Sequence, residues 1–248
     1  MYYDNIIDKG PVVYTNHELI EGEVKALCLR LHAYGDEDRI YEAQAIDKAL
    51  AAAGVLSVFP YYDVWGWGND KTLELFDVIL TGIIKKYSLD PAIPFVIFGE
   101  GVGGTVALNY VRHGAPLEIK ACIAVCPVTD MQKHAALRDD MDAVLFYAFR
   151  HGALPFDEAL AAVDPARHIE EMPDGVKYLI VTAGKRDEKI YSHKHDRGIR
   201  PEEQYLCYIE QMKARGLDVR TEELDIAFSP MPLDAQTRCA ELIAELIK

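Results

Sequence analysis

Five short apolar runs, at 25–31, 55–59, 94–98, 120–125 and 177–182, alternate along the chain with segments in which apolar residues recur every three or four positions. Runs of that length and composition are strands of the kind buried on both faces, and the intervening periodicity is that of amphipathic helices. Strand and helix in strict alternation imply a mostly parallel sheet with helices on both faces. The expected helices are 36–53, carrying Ile40, Ala43, Ile46 and Leu50, with acidic residues in its first turn and Gly54 as its stop; one carrying Leu73, Phe76, Leu80 and Ile83; one from a glycine cluster to about His113; one near 201–215; and a last one presenting Cys239, Leu242, Ile243 and Leu246. A further strand is expected at 218–224. The stretch 129–173 is mostly helical in composition and falls between two strands, where a cap over the sheet is inserted, at about 130–173. The whole chain, 1–248, reads as a single domain with that insertion.

Charge and cysteine usage narrow the function. Forty acidic against 26 basic residues leave a net charge of −14, which repels phosphate backbones and anionic lipid surfaces, so neither nucleic acid nor a membrane is an expected partner. The five cysteines (Cys28, Cys122, Cys126, Cys207, Cys239) are odd in number and mostly inside apolar runs, and read as small core residues rather than a disulfide framework. The N-terminus lacks a basic region followed by an apolar stretch, and no apolar segment approaches the ~18 residues of a membrane span. The expectation is a soluble, unexported chain of a reducing cytoplasm. A small-molecule ligand or substrate is the expected partner, with a homo-oligomer as an open alternative, and no cofactor or metal is expected.

In a parallel sheet, sites lie beyond the carboxyl ends of the strands. The cluster Gly99-Glu100-Gly101-Val102-Gly103-Gly104 follows one such strand and opens a helix, and it admits two readings. As G-x-G-x-x-G it could approach a pyrophosphate at the helix N-terminus, making the chain a dinucleotide-binding protein. That reading also requires an acidic residue at the end of the next strand, and here that strand ends Ala124-Val125-Cys126-Pro127. As G-x-S-x-G-G it is a nucleophile elbow, a sharp strand-to-helix turn that presents one side chain at the top of the sheet; Gly99, Gly103 and Gly104 match.

Over nearly its whole length the chain resembles the α/β-hydrolase family, esterases and peptidases among them. The resemblance rests on Leu31-His32-Ala33-Tyr34-Gly35, similar to that family's oxyanion-hole loop; on Phe59-Pro60-Tyr61-Tyr62; on the elbow; on Val163-Asp164-Pro165; and on Thr182-Ala183-Gly184-Lys185-Arg186-Asp187. It implies an α/β-hydrolase fold with a helical cap, an oxyanion hole drawing on 32–35 and Val102, and Asp187 at the position of the triad acid. It fails where the chemistry stands. Position 101, where the family carries its nucleophile, is Gly, and no histidine follows His195 although the family's triad histidine lies after the last strand, here in 225–232.

Other residues carry two readings each. His32 either shapes the oxyanion-type loop or touches a ligand. Glu100 is an acid or base near the pocket, or a structural residue, since the family's geometry points it away from the attack position. Tyr61, Tyr62, Trp65 and Trp67 wall an apolar pocket, or pack under the cap. Without a histidine partner, Asp187 reads as a helix cap or ion-pair member. His193 and His195 would share one side of an extended segment, yet the surrounding Lys185, Arg186, Lys189, Lys194 and Arg197 oppose a metal and suit a solvated loop or an anionic partner. The expected function is a non-catalytic binder of a small molecule or partner; the alternatives are a hydrolase, active or inactivated at position 101, and the dinucleotide-binding protein.

Overall fold

The computed structural model describes residues 13–33, 43–63, 66–136, 148–149, 154–183, 204–226 and 231–247. Among the described residues, seven strands form one sheet: β1 (Val13–Thr15), β2 (Ala26–Leu31), β3 (Val55–Pro60), β4 (Phe95–Glu100), β5 (Ile119–Val125), β6 (Lys177–Ala183) and β7 (Val219–Leu224), in the order β1-β3-β2-β4-β5-β6-β7. Only the β1–β3 pair is antiparallel; every other pair is parallel. Every residue of β2 and β3 is buried, and β4 is buried through Gly99, so helices cover both faces of the sheet there. The outermost β7 carries Arg220, Glu222 and Glu223 on partly exposed positions, a charged edge that discourages pairing with another chain.

The helices are α1 (Ala45–Ala52), α2 (Asp70–Tyr87), α3 (Val102–His113), α4 (Met131–Ala136), α5 (Phe156–Ala162), α6 (Tyr205–Ala214) and α7 (Leu233–Leu246), with a 3-10 helix at Pro165–Glu171. Helix α2 starts where the Asn69 side chain accepts the Thr72 N–H at 3.0 Å, and it buries Leu73, Phe76, Leu80 and Ile83, the stripe expected of it. Helices α1 and α7 pack on one another, and α3 packs on β4, β5 and β2. Between β5 and β6, where the insertion is expected, the structure has α4, α5 and the 3-10 helix.

Two expectations are corrected. The helix expected from Asp36 begins at Ala45, because Gln44 is extended and closes a reciprocal cap with Asp47: the Gln44 N–H donates to Asp47 Oδ2 at 3.0 Å. The acidic residue of the first turn is therefore Asp47, and Ala43 does not belong to that helix; Ile40 lies outside the described residues. The strand expected to stop at Phe98 continues through Gly99 and Glu100. One element has no counterpart in the sequence reading: β1 exists through its pairing with β3, more than forty residues downstream.

Beneath α1 lies a buried ion pair. Arg30, 3% exposed, donates from Nη1 to Asp47 Oδ1 and from Nη2 to Gln44 Oε1, and its guanidinium stacks over Phe59. Asn16 joins β1 to this corner, donating to the carbonyls of Asp47 and Val55 and accepting the Ser57 N–H. Burial, with the Asp47 carboxylate adding to it, pushes the Tyr14 phenol up to about 12.

Candidate active site

The carboxyl ends of the parallel strands converge around Gly101. Strand β4 ends at Glu100, α3 begins at Val102, and Gly101 alone makes the turn, with φ 53° and ψ −118°. Its N–H donates to the Val125 carbonyl of β5 at 2.8 Å, and its carbonyl accepts the Thr105 N–H at 3.2 Å. Gly101 therefore serves as the last rung of the β4–β5 ladder and the first of the helix.

The neighbouring glycines are required by packing. A Cβ on Gly99 would stand 2.1 Å from the Gly103 carbonyl oxygen, and a Cβ on Gly103 would stand 2.3 Å from the Leu31 and 2.6 Å from the His32 carbonyl oxygen. Both lie under any tolerable contact, and the opposing atoms are backbone. The close approach that glycine permits here is taken up by β4, α3 and the end of β2, which weighs against a pyrophosphate at Gly99 or Gly103 and against the dinucleotide reading.

The β2 loop is fixed from two sides. Gly103 lies under its carbonyls, and the Tyr62 hydroxyl donates to the His32 carbonyl at 2.9 Å. The His32 ring is 4% exposed, lies 4.5 Å from the Tyr62 ring and 5.5 Å from Phe59, and has Nδ1 3.2 Å from the Ala33 carbonyl oxygen. These contacts are those of a residue that shapes the loop. Tyr34 and Gly35 lie outside the described residues.

Side-chain alternation explains Glu100. Gly99 faces α3, so Glu100 faces the opposite side of the sheet. Burial raises the Cys239 thiol of α7 above the ordinary range, and the Glu100 carboxylate adds to the rise. The aromatic loop packs inward. Tyr62 is buried edge-on to Phe76, and Trp67 is fully buried at φ 51°, 5.2 Å from the ring of His134 on α4, with its carbonyl accepting from Asn109 Nδ2. Tyr61 is half-buried, edge-on to Phe59. Trp65, Asp187, the 185–197 basic cluster with His193 and His195, and residues 227–230 of the loop after β7 lie outside the described residues.

Beside Gly101, Cys126 follows the end of β5 at φ 44°, and its N–H donates to the Val181 carbonyl at 2.9 Å. A non-glycine residue in that region is uncommon, and such strain gathers near functional sites. All five cysteines are free thiols, four of them buried.

Polar side chains absent from the sequence reading attach the β5–β6 insertion to the core. On α3, Thr105 donates to the Val128 carbonyl, Asn109 to Val163 and Arg112 to Ala162. From the start of α6, Gln204 accepts the N–H groups of Thr129 and Asp130 and donates to the Asp130 carbonyl. Thr105, Asn109 and Arg112 recur at helical spacing on α3, the one sequence signal that could have found them. Among the described residues no group of three or more His, Cys, Asp or Glu side chains could hold a metal, and no helix is long and apolar enough to cross a membrane.

No protein-family profile matches the chain, and no curated protein matches its sequence. Solved structures do. A puromycin-hydrolyzing peptidase of Mycobacterium tuberculosis matches with a TM-score of 0.66 at 13% identity, over 92% of this chain and 35% of the peptidase. An acylaminoacyl peptidase of Pyrococcus horikoshii matches at 0.64 and 16%, over 91% of this chain and 37% of the other. The fluorophosphonate-binding serine hydrolase F of Staphylococcus aureus matches at 0.63 and 14%, over 92% and 85%. The chain spans about a third of the length of either peptidase. With its strand order and parallel sheet, this establishes that the chain has the α/β-hydrolase fold.

Proposed function

We propose that the chain is a non-catalytic member of its fold, binding a small carbonyl- or carboxylate-bearing molecule at the end of β4 without forming a covalent intermediate. One observation carries this reading: Gly101 occupies the single-residue turn between β4 and α3, where hydrolases of this fold carry their nucleophile, and it brings no oxygen or sulfur to the site. The absence of any histidine after His195 points the same way. The turn nonetheless keeps what an acceptor needs. Val102 is the first residue of α3, so its N–H has no partner within the helix, and the His32–Ala33 segment is fixed alongside by Gly103 and Tyr62.

The test pairs a covalent with a reversible probe. The purified chain should take up no fluorophosphonate label and should show no turnover of 4-nitrophenyl butyrate that survives purification, while short-chain and aromatic carboxylates raise its melting temperature. Stoichiometric labelling, or esterase activity that copurifies with the chain, would establish the rival reading of a working hydrolase.

A further inference from the structure

The loop 66–69 ahead of α2 meets the β5–β6 insertion near its beginning, its middle and its end. At the beginning, the Trp67 ring stands edge-on to His134 of α4 at 5.2 Å, and both side chains are buried. In the middle, Asn69 Nδ2 donates to the Ala148 carbonyl at 2.7 Å, next to Phe149, which packs on the hydrophobic core. Towards the end, one side chain of α3 serves both partners: Asn109 Nδ2 donates to the Trp67 carbonyl at 3.2 Å and to the Val163 carbonyl at 3.0 Å. An amide nitrogen carries two hydrogens, and each of these bonds takes one.

The loop is strained. Trp67 stands at φ 51°, a region that a bulky residue enters at a cost, and Gly68 follows at φ 76°. A Cβ on Gly68 would lie 3.3 Å from Asn109 Cβ and 3.4 Å from Val106 Cα, so the loop rests directly on α3. Strain of this kind persists only where the surroundings over-determine the backbone. Here the surroundings include α3 below the loop and α4 of the insertion. Asn69 divides its amide between two tasks: Oδ1 accepts the Thr72 N–H and caps α2, while Nδ2 reaches the insertion.

We propose that the loop 66–69 is the latch of the insertion: the two dock on α3 and release from it as one cooperative unit, with Asn69 Nδ2 as the bolt, while the sheet and α2 stay folded. Shared partners make the opening collective. Trp67 touches α4 with its ring and, through its carbonyl, the same Asn109 amide that holds Val163, so release at one end of the insertion removes support at the other. The latch does not depend on what the strand-end site binds.

Native-state hydrogen–deuterium exchange on the full chain tests it, because Asn69 can lose its donor and keep its cap. Asn69→Asp and Asn69→Ser both retain an oxygen for the Thr72 N–H, and neither has the Nδ2 donor. Each should raise the opening equilibrium of amides in α4, α5 and the 3-10 helix together, by about tenfold, while amides of α2, β4 and β5 exchange as in the unaltered chain. The charged and the neutral variant should agree in which amides respond. Faster exchange confined to the residues around Ala148, or an α2 that opens to the same degree as the insertion, overturns the proposal. So does an insertion that exchanges in both variants as it does in the unaltered chain.

Discussion

Gly103 of α3 lies so close to the end of β2 that a Cβ on it would stand 2.3 Å from the Leu31 carbonyl oxygen. The opposing atom is backbone in the centre of the sheet, so neither partner can yield without moving a strand or a helix. Gly103→Ala is therefore expected to destabilise the protein by about 3 kcal/mol or more, at the upper end of overpacking effects. Gly104→Ala meets its nearest neighbours, Gly99 O and Pro127 Cβ, at 3.2 Å and should be clearly milder. Urea midpoints of the two variants check the order.

The Arg30–Asp47 pair makes a different prediction. Asp47 is completely buried and also closes the α1 cap, so Asp47→Ala strands a guanidinium beside Phe59 and unties Gln44. The expected loss is about 3–5 kcal/mol. Replacing both partners by apolar residues, as Arg30→Met with Asp47→Leu, should recover much of it, because no buried charge remains. If the double variant were as unstable as the single one in chemical denaturation, the capping role of Asp47 would outweigh its charge.

What the sequence made legible were the elements whose signal is local. Phe95-Val96-Ile97-Phe98 needs no partner to read as a buried strand, and Leu73, Phe76, Leu80 and Ile83 declare the face of α2 unaided. The start of α1 was misread because Ile40 and Ala43 extend the apolar period of Ile46 and Leu50 upstream, while the cap that stops it uses Gln44 and Asp47 in place of the favoured Ser or Thr with Glu. The attachments of the insertion were invisible for another reason: Asn109 reaches Val163 across 54 positions and Gln204 reaches Thr129 across 75. At the candidate site, the glycine turn was legible because its spacing is the signal; the inward packing of Trp67 and the support of His32 by Tyr62 depend on chain segments brought together only by folding.

Thiol reactivity offers a check on burial. Burial pushes the Cys28 thiol up to about 12 and raises Cys122 and Cys239 as well, whereas Cys207 on α6 is partly exposed. In the native protein at pH 8, iodoacetamide should modify Cys207 well before Cys28, Cys122 or Cys239, since the thiolate is the reacting form. Peptide mapping reads the order directly, and early modification of Cys28 or Cys122 would contradict the packing of β2 and β5.

Repair of the turn is the sharpest trial of the functional reading. Gly101→Ser must hold serine at φ near 53°, a conformation that L residues adopt with strain, so a loss of about 1 kcal/mol is expected without loss of fold. The hydroxyl would then stand at the first turn of α3, beside the Val102 N–H. A serine at its ordinary pKa is a weak nucleophile, and the loop after β7 holds no histidine to take its proton. The variant should therefore show no burst of acyl-enzyme with 4-nitrophenyl acetate, and supplying a histidine in that loop as a second change should be needed before any burst is seen. A burst from Gly101→Ser alone, followed by turnover on the order of 1 per second or faster, would mean that a histidine elsewhere in the chain already completes the site. The chain would then be a hydrolase disabled at one position, and the non-catalytic reading would fall with that single measurement.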